Sequence, residues 1–237
     1  MADEHTHAFV CSYGGIIHIL KLNVMTINIE KKQLIIGVVA IAVIIVGVFG
    51  VSALKNSAYE KNAKQMQRNI HELYYTSSIL SSEIHTTWRD YIMDDKEYMD
   101  KVTGKFYEYS WDVPNEYKWC SSFSVAIAEK QGYYEDKGVQ DSLDSLYSAT
   151  KALLTEMTPA PDKFKDFHSD LSELFHTAEA MYNCAVDPDG NLQSYTNEIN
   201  TLTSAYKKQS SNIDILIGEI DEVEKSKLEL DALMKFF

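Results

Sequence analysis

Glu173 to His176, "ELFH", is the one Glu-x-x-His in a stretch read as helix. Such a pair could supply two ligands of a di-iron carboxylate bundle. That chemistry also needs a second Glu-x-x-His and a carboxylate from each remaining helix, all facing inward. In the register set by Leu171 and Leu174, Glu173 and His176 fall on outward positions, so iron chemistry is excluded. His71 and His85 take outward positions of the first helix and read as solvated, as do His168 beside Phe167 and the short pair His5 and His7. No zinc-ligand spacing, phosphate-cradling glycine loop or nucleophile elbow occurs. The chain is therefore expected to be non-enzymatic, with no catalytic residue, metal or cofactor.

Cys11, Cys120 and Cys184 are the remaining reactive groups. A hairpin folded at "TPAP" (158–161) sets Cys184 level with about residue 131, which leaves Cys120 roughly 16 Å away along the helix axis. That is too far for a disulfide, so Cys120 and Cys184 are expected as free, buried thiols. The aromatic residues are the compositional oddity. Fifteen tyrosines include the doublets Tyr74-Tyr75 and Tyr133-Tyr134, and the segment "VTGKFYEYSWDVP" carries Phe106, Tyr107, Tyr109 and Trp111. An exposed loop of that kind is a candidate recognition surface. The alternative, favoured because bundle ends need covering, is that the same four residues plug the open end of a bundle.

What would position these groups is read from hydropathy and period. Leu34 to Leu54 is a run of 21 residues without charge, with Ser52 its only polar side chain. As a helix it is roughly 31 Å long, one hydrocarbon thickness, so residues 34–54 are predicted to span a bilayer as a signal anchor. The alternative is cleavage after Ala53, with Lys31 and Lys32 as the basic flank; the run is longer than a usual signal core, which favours retention. Residues 1–33 read as a short unstructured flank, with a second candidate start at Met25. The counts of basic residues on the two sides do not decide orientation. A short flank before the run and a long domain after it favour a single-pass protein, N-terminus cytoplasmic and C-terminal domain extracellular.

The three basic residues before Leu54 (Lys21, Lys31, Lys32) cancel the three acidic ones (Asp3, Glu4, Glu30), so the net charge of −13 falls on 55–237. Such a surface repels phosphate backbones, and nucleic acid is excluded as a partner. Within 55–237 apolar residues alternate by three and four. The first series is Tyr59, Ala63, Met66, Ile70, Leu73, Ser77, Leu80, Ile84, Thr87, Tyr91; the second is Val139, Leu143, Leu146, Thr150, Leu153, Met157. The third is Phe164, Phe167, Leu171, Leu174, Ala178, Met181, and the fourth runs from Leu192 and Tyr195 through Ile213, Leu216 and Ile220 to Val223. Four narrow stripes can be buried only against one another, which predicts an all-α fold: one transmembrane helix, then an antiparallel up-down four-helix bundle.

The first helix should break at Gly104 and restart after Asp112; "QGYYEDKG" (131–138) is either a kink or a loop; "DPDGN" (187–191) offers Asp189 or Asn191 as the cap of the last helix. Residues 55–98 would then rise roughly 66 Å from the bilayer. The loop 103–113 would lie at the distal tip, and Phe236 and Phe237 would return toward the headgroups.

"MTINIEKKQ" ahead of the apolar run and "DPDGNLQSYTNEINTLTSAYKK" opening the last helix resemble the membrane-anchored extracytoplasmic helical-bundle proteins of Gram-positive-type bacteria. More distantly the chain is similar to the four-helix sensor domains of bacterial chemoreceptors. Those domains carry a second span after the last helix, and the sequence ends at Phe237 without one. The LemA family shares the plan of an anchor followed by helices, but its Arg- and Asn-Leu-rich segment is missing from "KNSAYEKNAKQMQRN". Those anchored proteins have no assigned function; one span, four apolar stripes and no convergent catalytic groups instead point to a membrane-tethered binding or scaffolding module whose partners are the bilayer, through residues 34–54, and another protein or surface component. The alternative is a small-ligand sensor that binds near the polar seam positions Ser77, Thr150 and Gln209.

Overall fold

The computed structural model describes residues 31–108 and 117–236, and for residues 31–54 the backbone alone. The chain divides into two compact units, Met1–Ala53 and Leu54–Phe237. The flank 1–30 and the side chains of the expected span 34–54 lie outside the described residues. Among the described residues, no helix is long and apolar enough to cross a membrane.

The described residues form six helices: α1 (Lys31–Met93), α2 (Phe123–Asp136), α3 (Val139–Glu156), α4 (Lys165–Val186), α5 (Leu192–Ile217) and α6 (Glu222–Met234). Between α1 and α2 lie three short strands, β1 (Tyr98–Asp100), β2 (Phe106–Tyr107) and β3 (Tyr117–Trp119), paired antiparallel in the order β2-β1-β3. The all-α, four-helix expectation is corrected accordingly: the protein is mostly helical, with six helices packed together and a small sheet.

Backbone chemistry explains the departure. The segment expected to be a loop reverses at Gly104, whose φ is +64° and whose N–H donates to Asp100 O at 2.7 Å. A Cβ there would sit 2.7 Å from the Tyr133 ring, so glycine is required by space as well as by conformation. The expected restart after Asp112, a residue outside those described, comes later at Phe123, where the Ser122 hydroxyl accepts from Val125 N–H. At "QGYYEDKG", Gly132 lies inside α2 and the chain turns at Gly138, φ +72°. Asn191 rather than Asp189 caps α5, in a reciprocal box with Ser194.

The seams do bury. From Tyr59 to Thr87 every member of the α1 series is buried, and Phe167, Leu171, Leu174, Ala178 and Met181 of α4 meet them. Trp88 and Tyr195 continue this interior toward α2, with ring centroids 5.2 Å apart. Hydrogen bonds fix the relative directions. Tyr182 donates to Asp144 and Tyr147 to Glu179, so α3 and α4 run antiparallel. Tyr74 donates to Thr203 and Gln67 to Asp214, so α1 and α5 also run antiparallel.

The fourth stripe was expected to continue unbroken to Val223. Instead α5 ends at Gly218, φ +90°, and Asp221 caps α6 by accepting from Val223 and Glu224 N–H. Leu216 and Val223 are exposed. α6 then runs back beside α1: Arg68 pairs with Glu224, His71 faces Glu229, and Lys235 pairs with Glu72. This reversal corrects the expected course of the C-terminus. Phe236 is buried edge-on against Tyr134, ring centroids 5.1 Å apart, instead of reaching toward headgroups; Phe237 lies outside the described residues.

Candidate ligand-binding cleft

The reversal at Gly218 brings polar side chains of three helices to one surface. An open cleft of about 490 Å³ lies between α1, α5 and α6. α1 contributes Gln67, His71, Tyr74, Tyr75 and Ser78, a face displaced by one position from its buried seam. α5 contributes Tyr206, Lys207, Ser210 and Asp214; Glu219 and Ile220 come from the turn; α6 adds Glu222, Lys225 and Glu229. Leu174 of α4 forms part of the lining.

His71 sits at the centre and corrects the expectation of a solvated histidine, because its side chain is only 12% exposed. Its Nδ1 lies 3.3 Å from the Tyr206 hydroxyl, and its Nε2 faces Glu229 Oε1 at 3.4 Å without completing a hydrogen bond. A carboxylate opposite Nε2 favours the proton there, so Nδ1 accepts and Tyr206 donates. Burial holds the imidazole below its usual pKa and outweighs the opposing pull of Glu229, so the ring is neutral at pH 7. Tyr206 stacks on Tyr74 at 3.6 Å between centroids, with the ring planes 2° apart. Burial, aided by the neighbouring Tyr74 and Asp214, pushes the Tyr206 hydroxyl far above the ordinary phenol range. It stays a phenol at neutral pH.

On the other side, Gln67 is 6% exposed and spends its amide N–H groups on Asp214 Oδ1 (2.6 Å) and Gly218 O (3.3 Å). The Asp214 carboxyl is raised above the usual carboxylate range, first by burial, with Glu219 adding to it. The Ser78 and Ser210 hydroxyls bond to carbonyls of their own helices, and Tyr74 donates to Thr203.

The structure disperses the other positions that the sequence singles out. Phe106 is buried with Met99, Cys120 and Ala126 under the sheet, and Tyr107 is half-buried, edge-on to Tyr117 at 5.7 Å. Tyr109 and Trp111 lie outside the described residues. The polar seam residues do not share a site: Thr150 donates to Leu146 O, Gln209 accepts from Thr177, and Ser77 is buried without a hydrogen-bond partner. Glu173 and His176 are exposed, as their register requires. His168 is half-buried and lies between the hydroxyls of Tyr59 and Thr158. Cys120 and Cys184 are free and buried; burial, followed by Glu129 and Glu198 respectively, pushes their thiols up to about 11 and about 12. No group of His, Cys, Asp and Glu that could hold a metal occurs among the described residues.

A four-three alternation assigns His71 to an outward position and carries on through Gly218, so it hides the second layer that α6 builds. The signal was present in "IGEIDEVE": a glycine that can end a helix, followed by Asp221 and Glu224 in the spacing of a capping box. Compared with protein-family models, curated proteins and solved structures, the chain matches none.

Proposed function

We propose that the protein is a non-enzymatic binding module, tethered to the outer face of a cell membrane by residues 34–54, that takes its ligand in the α1/α5/α6 cleft. The observation that carries the reading is the convergence of an imidazole, four carboxylates, two ammonium groups, an amide and three tyrosines on one concave surface. The imidazole and the Tyr206 phenol there are engaged with each other. The His71 Nδ1 takes a phenol, and that phenol is held protonated by burial. In this reading α1, α3, α4 and α5 are the up-down four-helix core, and α2 and α6 are a second layer on it. The uncharged run and the long acidic domain after it support the tether, with the N-terminus in the cytoplasm.

Two measurements test the proposal. The protein should sediment with membranes after alkaline extraction, and an epitope placed after Phe237 should be cleaved by protease on intact cells. Recovery in the soluble fraction would instead support release after Ala53. For the cleft, a thermal-shift screen of the full chain against small polar molecules should find a stabilising compound whose effect is lost in Asp214→Asn. A second reading, docking of a protein at the opposite end, is favoured by the exposed Ile92, Met93, Val102 and Trp119 around the sheet. Substituting these by serine would then abolish capture of a partner while leaving the thermal shift intact.

A further inference from the structure

We propose that α6 is a releasable strap: whatever the cleft binds, α6 undocks from α1 as a unit about the turn at Gly218 while α1 to α5 stay packed, and so uncovers the face of α1 that it crosses. α6 turns three of its five large apolar side chains to water: Val223, Leu230 and Met234 are 78%, 56% and 64% exposed. At about 3.6 residues per turn they project opposite Ala232, the one buried residue of the helix, so this stripe adds nothing to docking. No residue from Glu222 to Met234 joins the apolar clusters formed by the described residues. α4, by contrast, buries Phe167, Leu171, Leu174, Phe175, Ala178 and Met181 in the main cluster.

Polar pairs hold the helix in place. Arg68 meets Glu224 at 2.6 Å and Lys235 meets Glu72 at 3.1 Å, with each of the four side chains between 24% and 39% exposed. His71 Nε2 faces Glu229 at 3.4 Å without completing a hydrogen bond. Pairs this close to water contribute little each, because solvent replaces most of the attraction when they part. Phe236, just beyond the helix, joins the interior edge-on to Tyr134.

The connection is built to turn. Gly218 has φ +90° and ψ 150°, a region open essentially to glycine alone, and none of residues 218–220 is buried. Asp221 caps α6 from within the segment, so the start of the helix does not depend on α5. A helix of 13 residues is marginal in water by itself, so release also melts it. Elements with few buried apolar contacts are the ones that open below the global unfolding free energy. Glu222, Lys225 and Glu229 leave the cleft with α6, and the His71 side chain, 12% exposed under the strap, is opened to solvent.

The test is amide hydrogen exchange of the full chain in detergent micelles, read by mass spectrometry, together with the rate at which diethylpyrocarbonate labels His71. Residues 222–234 should be at least about tenfold less protected than the buried stretch of α1 and than α4. The double variant Arg68→Met/Glu72→Gln should quicken exchange in α6 by about threefold to tenfold, and Phe236→Ala by about a hundredfold, with α1, α4 and α5 unchanged. Labelling of His71 should rise by the same factor as α6 exchange in each variant. If α6 exchanges in step with α4, or if the variants quicken every helix alike, α6 opens only with the whole fold and the proposal is overturned. It is overturned equally if exchange in α6 quickens while His71 stays as slow to label as in wild type, because the helix then frays in place without undocking.

Discussion

Replacing Lys130 with methionine should destabilise the protein by about 2 kcal/mol, and the structure says where the loss arises. Lys130 sits on α2 with its side chain 6% exposed, and its ammonium donates to Gly104 O at 2.9 Å and pairs with Glu83 Oε2 at 2.9 Å. The Tyr134 hydroxyl donates to the same carboxylate oxygen at 2.9 Å, and its ring lies 5.1 Å from the ammonium. One cation thereby ties the hairpin to α2 and α1. Methionine preserves most of the apolar stem, so packing changes little. Removing the charge leaves the Gly104 carbonyl unpartnered and the carboxylate without its cation. A fully buried pair broken this way costs about 3–5 kcal/mol. Glu83 is 41% exposed and keeps Tyr134, so water recovers part of that, and about 2 kcal/mol remains.

For a domain of this size that loss lowers the melting temperature by about 4–8 °C, measured by circular dichroism on the full chain in detergent. The double variant Glu83→Gln/Lys130→Met should lose less than the sum of the single variants. The pH profile carries a second signature. Burial would raise the Glu83 carboxyl, but the Lys130 ammonium and the bonds from Lys130 and Tyr134 overcome it and hold the group below its usual value. A carboxyl depressed in the folded state adds stability above its unfolded pKa of about 4.3, and this is lost as pH falls through the folded value. The gap between wild type and Lys130→Met should therefore narrow as pH drops below about 5. A Lys130→Met protein that melts within about 1 °C of wild type at pH 7, or a gap that widens in acid, would refute the reasoning.

Two further outcomes follow from burial. Cys120 and Cys184, with thiols raised to about 11 and about 12, should react with a disulfide reagent at pH 8 only as fast as the protein opens, and both at full rate in denaturant; in a Cys11→Ser background, rapid labelling of the native protein would contradict their placement. Phe106→Ala should cost about 3 kcal/mol, whereas Trp119→Ala, removing a side chain 57% exposed, should change stability by no more than about 0.5 kcal/mol; thermal melts of the two variants separate a plug from a surface aromatic.

The seams were legible because burial in a helical bundle is a matter of period. A residue such as Ile70 or Leu171 is fully buried whatever its neighbours do, once its helix presents that stripe to a partner. The sheet was not legible for the opposite reason. Its strands are two or three residues long, too short to show alternation, and they are held by turn geometry at Gly104 and by Lys130 from a distant helix. The node that Lys130 forms is invisible to period, since a lysine in a helical pattern reads as a solvated face.

The cleft shows the same limit from the other side. A stripe two residues wide in seven says which faces meet first; it says nothing about the outward faces, where polar residues read as solvated by default. His71 is polar and outward by register, yet largely covered, because α5 stops at Gly218 and the chain lays a second, acidic helix over that face. The contacts that hold α6 there are mostly ionic: Arg68 to Glu224, Glu72 to Lys235, and Lys137 to the Phe236 carbonyl, with Ala232 and Phe236 the buried apolar anchors. A layer held by polar pairs leaves gaps that an apolar seam would close, since charged groups gain by keeping access to water. The cleft is therefore a consequence of how α6 is attached.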